Sequence, residues 1–219
     1  MKDIFLIRHC QALPGQGQDW QHRPYIGRTD PPLTQAGIAE AGELAAHLAA
    51  LVPAKENVAI VSSPARRALE TARLAASGLN PQEAEPIIEQ DPNLWEVDFG
   101  RWEGLCFPEI QAEDPALVDE WARGGMDFRF PAGESLSAFH ERIMRAGDRI
   151  YRHPAENLMV VTHGGVIRFL LCYFLGLPPS FHLKFEVGTG AINRLSGSSP
   201  SITRHAASRS ANPLLVVAA

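Results

Sequence analysis

Asn157-Leu158-Met159-Val160-Val161-Thr162-His163-Gly164-Gly165 is an apolar run that ends in a polar residue, a histidine and two glycines. Near the start of the chain, Asp3-Ile4-Phe5-Leu6-Ile7-Arg8-His9-Cys10 has the same plan, four apolar residues running straight into an arginine and a histidine. Each reads as a buried strand that ends in chemistry. In an open α/β sheet the carboxyl ends of the strands border the ligand crevice, so two histidines remote in the chain can meet there. The rest of the chain alternates strands with helices of crossover length, which predicts an α/β three-layer sandwich. Its central sheet is mostly parallel, helices cover both faces, and a small cap insertion lies over the crevice.

At 219 residues and 45% hydrophobic the chain can bury one good core, and we expect a single domain over 1–219. A formal charge of −5 gives no global attraction for nucleic acid or an anionic membrane surface, so anions must be bound by local arginines. Cys10, Cys106 and Cys172 have neither a disulfide framework nor zinc-finger spacing. The first apolar run is shorter than a secretion signal requires. The run Val166 to Leu177 is broken by Arg168, ends at Pro178-Pro179 and is too short for a membrane span. These features predict a cytoplasmic protein with no nucleic-acid or membrane partner; they leave the oligomeric state open, a homodimer among the options.

Gln11 to Arg28 is rich in Gly, Pro and Gln and reads as a loop of functional length. Thr34 is an N-cap, and Ile38, Ala41, Leu44, Ala45, Leu48 and Leu51 mark the apolar face of the helix that follows. Asn57 to Ser62 is a second buried strand. It runs into Ser63-Pro64-Ala65-Arg66-Arg67, which predicts a helix capped by Ser63 with Pro64 at its first position. That helix would open at a strand's carboxyl end and favour an anion there. Glu85 to Glu89 is a proline-weakened edge strand. Leu94 to Gly104, with two tryptophans and two glycines, is a shaped loop. Broken helical pieces over about 105–132 form the cap. Glu134 to Tyr151 is a helix with an apolar face of Leu136, Phe139, Ile143, Ile150 and Tyr151, and residues 183–196 can add a strand. The Ser-rich tail, about 196–219, is poorly patterned.

Suppose Arg8, His9, Arg66 or Arg67, Glu96 and His163 share one pocket. His9, His163 and Glu96 are ordinary metal ligands, but two arginines would repel a dication. Each histidine could instead be a hydrogen-bonded strand end with no chemistry. The third reading is phosphoryl transfer: arginine forks fit phosphoryl oxygens, nearby cations keep a histidine neutral and nucleophilic, and Glu96 can protonate a leaving alkoxide. Other phosphate and ester chemistries lack their motifs. There is no Gly-x-x-x-x-Gly-Lys-Ser/Thr loop, no cysteine followed six residues later by arginine, and no Gly-x-Ser-x-Gly elbow.

Arg8-His9-Cys10, Ser62-Ser63-Pro64-Ala65-Arg66-Arg67-Ala68-Leu69-Glu70-Thr71-Ala72, Leu94-Trp95-Glu96-Val97-Asp98-Phe99-Gly100-Arg101-Trp102-Glu103-Gly104 and Thr162-His163-Gly164-Gly165 occur in that order. With Gly27 to Thr34 and Gly133-Glu134-Ser135, the set resembles the histidine phosphatase superfamily, in its phosphoglycerate-mutase-like branch, from residue 3 to about 195. The resemblance implies that His9 is the phosphorylated nucleophile and Glu96 the proton donor. Arg8, Arg67 and His163 would form the phosphate pocket, with an amide from Gly164 and no metal or other cofactor. It selects Arg67 over Arg66. It also implies a phosphatase for a small phosphorylated metabolite, with a phosphoglycerate-type mutase and a non-catalytic phospho-ligand binder as alternatives. Cys10 stands where the family usually has glycine, either as a tolerated small thiol, the simpler reading, or as an oxidisable one. Arg28 is expected to be solvated or structural, Trp102 and Trp121 to be packing residues, and the loop 11–26 with the cap to select the substrate.

Overall fold

The computed structural model describes residues 3–13, 21–52, 58–79 and 86–197, together with the backbone of 201–205. Six strands form one sheet: β1 (Asp3–Arg8), β2 (Val58–Ser62), β3 (Ile88–Gln90), β4 (Asn157–Thr162), β5 (Ile192–Ser196) and β6 (Ser201–His205). Their spatial order is β3-β2-β4-β1-β5-β6. The first four are parallel, and β5 and β6 add to the β1 edge antiparallel. The α/β class read from the sequence holds, and the expected edge strand forms over Ile88–Gln90 alone, after Pro86, at the end of the sheet. Within 183–196 only Ile192–Ser196 is strand, because residues 179–184 close into a 3-10 turn. The antiparallel strand β6 in the Ser-rich segment was not anticipated, and the apolar tail at 214–219 lies outside the described residues.

Alternation along the two central strands builds two apolar layers. Phe5, Ile7, Met159 and Val161 face one way, onto Leu44 and Leu48 of α1 (Gln35–Leu51) and Ala68 and Ala72 of α2 (Arg66–Leu79). The small alanines of α2 let it lie close to the sheet. Ile4, Leu6, Leu158 and Val160 face the other way. They meet Phe139 and Ile143 of α5 (Leu136–Arg152) and Ile167 and Leu170 of α6 (Gly164–Leu175). Between β3 and α5, two short helices, α3 (Phe107–Glu113) and α4 (Pro115–Ala122), form the cap around Trp102, Trp121, Phe128 and Phe130. Trp102 is fully buried and donates its indole N–H to Asp114, so it is a packing residue as expected.

Local start signals fared unequally. Thr34 caps α1, its hydroxyl accepting from the Gly37 amide at 3.0 Å. Ser63 does not cap α2, which begins two residues after Pro64. The free Arg66 amide is met instead by Asp30 Oδ1 at 2.8 Å, from the loop across the crevice. The Ser63 hydroxyl accepts from His163 at 2.8 Å and, more weakly, from the Ala65 amide at 3.3 Å, one residue before the helix begins. Tyr151 is 67% exposed and does not join the apolar face of α5, since the stripe ends at Ile150. No helix among the described residues is long and apolar enough to cross a membrane.

Candidate active site

Parallel pairing aligns Arg8 with Thr162, so the residues that follow each strand, His9 and His163, emerge side by side at the carboxyl edge. Their ring centroids are 5.2 Å apart, and both are buried. His9 Nδ1 lies 2.8 Å from the Cys10 carbonyl oxygen. A carbonyl only accepts, so Nδ1 carries the proton and Nε2 presents its lone pair. The Cys10 peptide that receives this bond is itself fixed, its N–H donating to Thr71 Oγ1 at 3.0 Å. The Cys10 side chain is fully buried, and desolvation followed by the nearby Glu40 pushes its thiol up, away from the reactive thiolate. The tolerated-thiol reading of this position fits.

Arg67 separates cleanly from Arg66. Arg66 points to solvent and pairs with Glu70 at 2.8 Å, whereas Arg67 is fully buried between the two histidines. Its Nε donates to His9 Nε2 at 3.3 Å and its Nη2 to His163 Nδ1 at 3.2 Å. The remaining donors are aimed by backbone carbonyls, Nη2 to Gly27 O at 2.9 Å and Nη1 to Thr29 O at 2.8 Å. His163 then accepts at Nδ1 and donates from Nε2 to Ser63 Oγ. A guanidinium thus stands where a cation shared by the two imidazoles would have to sit, and the His9–His163–Glu96 set does not suit a metal.

The loop that aims Arg67 is clamped by Glu103, whose carboxylate accepts from the amides of Gly27 at 3.0 Å, Arg28 at 2.8 Å and Thr29 at 3.2 Å. Glu96 is similarly held. Its Oε1 accepts from Val97 N at 3.1 Å and its Oε2 from Gly165 N at 3.0 Å. A Cβ at Gly165 would stand 2.5 Å from Glu96 Oε1, so glycine there is what lets the carboxylate sit against the start of α6. Arg142 donates to the carbonyls of Asn93 at 2.8 Å, Trp95 at 2.6 Å and Glu96 at 2.9 Å, while Glu134 holds its Nε at 2.7 Å. Neither the Glu103 clamp nor the Arg142–Glu134 pair was singled out from sequence. The available signal for Arg142 was a charged residue inside the Phe139–Ile143–Ala146 stripe.

Arg8 reaches the same edge from β1. Its Nη1 donates to Val187 O at 2.6 Å, its Nε has no hydrogen-bond partner, and its guanidinium stands 3.5 Å from where a Gly164 Cβ would be. Burial, then the field of Arg23, brings its pKa down to about 10. Arg28 is exposed and lies 5.3 Å over the Trp95 ring, and Trp95 stacks on His163 at 6.4 Å. The sequence-stretch residues His9, Arg8, Arg67, Glu96, His163 and Gly164 are therefore gathered at one sheet edge.

Burial first, then the positive charges of Arg67 and Arg8, holds His9 well below its usual range, and burial and Arg67 do the same to His163. The folded chain therefore refuses protons that the unfolded chain takes up below about pH 6.5. Where the unfolded state binds more protons, stability rises with pH, so acidification from pH 6.5 to 5 should destabilise the fold. Each histidine contributes up to about 1.4 kcal/mol per pH unit. Urea titrations over that window should show a shallower pH slope for His9→Ala and His163→Gln than for the wild type. Unchanged slopes would mean that these imidazoles take up protons in the fold as readily as in the unfolded chain.

Residues 4–205 match the model of the histidine phosphatase superfamily (branch 1). Bifunctional protein Rv2228c of Mycobacterium tuberculosis is 33% identical over 193 residues, which are 88% of this chain but 46% of that protein. The chain therefore spans about half the length of that relative. Adenosylcobalamin/alpha-ribazole phosphatase of Escherichia coli is 29% identical over 189 residues, 85% of this chain and 86% of the enzyme. The crystal structure of the alpha-ribazole phosphatase from Shigella flexneri superposes with a TM-score of 0.72 at 28% identity, covering 89% of this chain and 90% of that one. On the match over residues 4–205, with His9 and His163 meeting at the carboxyl edge of the sheet, this chain belongs to branch 1 of the histidine phosphatase superfamily.

Proposed function

We propose that the chain hydrolyses a small phosphorylated metabolite through a phosphohistidine at His9, without a metal ion. The observation that carries the reading is the pinned tautomer of His9, whose Nε2 lone pair faces the Arg67 guanidinium at 3.3 Å. A phosphoryl group drawn to that guanidinium is brought to the nucleophile by the same contact. Nε2 attacks phosphorus as the bond to the substrate oxygen breaks, and the proton for that oxygen comes from Glu96. Water then attacks the phosphohistidine, its proton returns to Glu96, the P–N bond breaks and inorganic phosphate leaves. Arg67 and Arg8 offset the charge spread over the transferring oxygens in both steps. His163, held neutral between Arg67 and Ser63, walls the pocket and fixes the guanidinium plane, while the Gly164 amide at the start of α6 adds a donor.

A cytoplasmic location belongs to the same reading. It is supported by three free cysteines, Cys10, Cys106 and Cys172, and by the mild negative charge. The relatives named for phosphatase activity, among them Phosphoserine phosphatase 1 of Hydrogenobacter thermophilus, support hydrolysis as the outcome.

The role of Glu96 is tested by Glu96→Gln against phosphomonoesters that differ in the acidity of the leaving alcohol. Removing a general acid should cost about 10²- to 10⁴-fold on an alkyl phosphate. The loss should be far smaller on p-nitrophenyl phosphate, whose leaving group needs no proton. Equal losses on both would assign Glu96 a purely structural part.

A further inference from the structure

Six arginines among the described residues are buried or half-buried: Arg8, Arg23, Arg67, Arg142, Arg168 and Arg194. Three of them face a carboxylate, Arg67 with Asp30, Arg142 with Glu134 and Arg194 with Asp3. Arg8, Arg23 and Arg168 form no ion pair among the described residues. Guanidinium groups drawn partly out of water without an ion pair are costly, so a cluster of them favours an anion supplied from outside.

The three belong to one place. Gly164 faces the Arg8 guanidinium, and Arg168 lies four residues further along α6, on the same helix face. Both guanidinium groups dock on one segment, Arg8 Nη1 on Val187 O at 2.6 Å and Arg168 Nε on Phe185 O at 3.0 Å, and the buried Arg8 Nε is left without a partner. Arg23 comes from the loop after β1. That loop is tied to the start of the cap by Tyr25 N–H on Leu105 O at 2.9 Å and Gly104 N–H on Tyr25 O at 2.8 Å. The Tyr25 ring closes the wall against Phe99 and Trp121. Burial and then Arg23 lower the pKa of Arg8; burial lowers that of Arg168, Glu96 opposing and Arg23 adding to the shift, and Arg23 acts on Tyr25 as well, so the groups share one field.

One transferring phosphoryl group is served by Arg67 and Arg8. That leaves two cations beside it in no ion pair with a described residue, Glu96 and Glu186 acting on Arg168 only at longer range. We propose that Arg23 and Arg168 bind a second anionic group of the substrate, against the Tyr25 wall. The chain then prefers phosphomonoesters carrying a carboxylate or a second phosphoryl group over those with a neutral tail. The inference rests on the phosphatase reading for its phosphoryl end.

The test compares matched pairs of phosphomonoesters: 3-phosphoglycerate with glycerol 3-phosphate, phosphoserine with phosphoethanolamine, and fructose 1,6-bisphosphate with fructose 6-phosphate. The first two pairs isolate a carboxylate and the third a second phosphoryl group. In at least one pair the more anionic member should have the higher kcat/KM by about 10- to 100-fold, the worth of a charged hydrogen-bond pair. Arg23→Gln should collapse that ratio, chiefly through KM. Arg23 carries the test because Arg168 also supports Phe185, and its replacement risks the fold. Ratios near one in every pair, with p-nitrophenyl phosphate hydrolysed normally, would overturn the subsite and leave the phosphatase reading intact. Should the wild type hydrolyse no phosphomonoester, the phosphatase reading fails. The subsite is then decided by thermal shift, where 3-phosphoglycerate must raise the melting temperature more than glycerol 3-phosphate in the wild type and equally in Arg23→Gln. Equal shifts in the wild type would overturn it.

Discussion

Replacing His9 by alanine should lower the turnover of p-nitrophenyl phosphate by a factor on the order of 10⁴ or more. The expectation follows from geometry. His9 Nδ1 is committed to the Cys10 carbonyl, so Nε2 presents its lone pair to Arg67, and the resemblance to the family picks this ring over His163 as the nucleophile. The folded protein should survive the change. His9 is a buried imidazole held neutral between cations, and its removal relieves the cost of burying it while opening a small cavity. Steady-state assays and a circular dichroism melt on the same preparation separate the two effects. A variant that folds and keeps more than a small fraction of wild-type turnover would show that the attack does not pass through His9.

Arg67→Ala should be nearly as damaging, and for two reasons at once. The side chain is fully buried, and it holds the carbonyls of Gly27 and Thr29 and both imidazoles. Its loss strands those acceptors without water, for about 2–4 kcal/mol of stability. On the proposed mechanism it also removes the fork for the phosphoryl oxygens, for a fall on the order of 10³-fold in kcat/KM. Arg67→Lys is the sharper variant. A single ammonium keeps the charge but cannot satisfy two carbonyls and two imidazoles from one plane, so it should recover stability only partly and activity little. Urea denaturation together with kcat/KM would measure both. Near-wild-type activity in Arg67→Lys would reduce the role of this residue to a diffuse charge.

Much of this was legible in the sequence, because the decisive signals are local. A buried parallel strand is a short apolar run, and a strand followed at once by Arg-His or His-Gly-Gly announces its carboxyl edge, so β1, β4 and the meeting of His9 with His163 could be foreseen. The choice between Arg66 and Arg67 could not be made from spacing, since adjacent helical residues point about a quarter-turn apart and only the packed sheet decides which is buried. It was the resemblance that chose Arg67. What escaped notice was long-range. Ser63 looked like a cap because local patterns presume local partners, while the fold supplied His163 for its hydroxyl and Asp30 for the helix end. Glu103 and Arg142 hold the two loops that carry the site across 74 to 76 and 46 to 49 positions respectively, and no periodicity encodes such pairings. The antiparallel β6 exists because β5 offers an edge, not because its own residues alternate.

The layered clamps have a common meaning. Glu103 fixes the loop that fixes Arg67, and Glu134 fixes the arginine that fixes the Glu96 backbone. The proposed nucleophile, fork and acid are each restrained before a substrate arrives, so on that mechanism little reorganisation is left for the reaction itself.

The most direct measurement is to trap the covalent intermediate. The protein is mixed with a phosphomonoester labelled in its phosphoryl group, quenched within the first turnover into alkali, in which a phosphohistidine survives, and digested for mass spectrometry. The label should appear transiently on the peptide containing His9, and should be absent from His9→Ala. Product formed in that first turnover with no labelled protein at any time, or label on a side chain other than His9, would contradict the account.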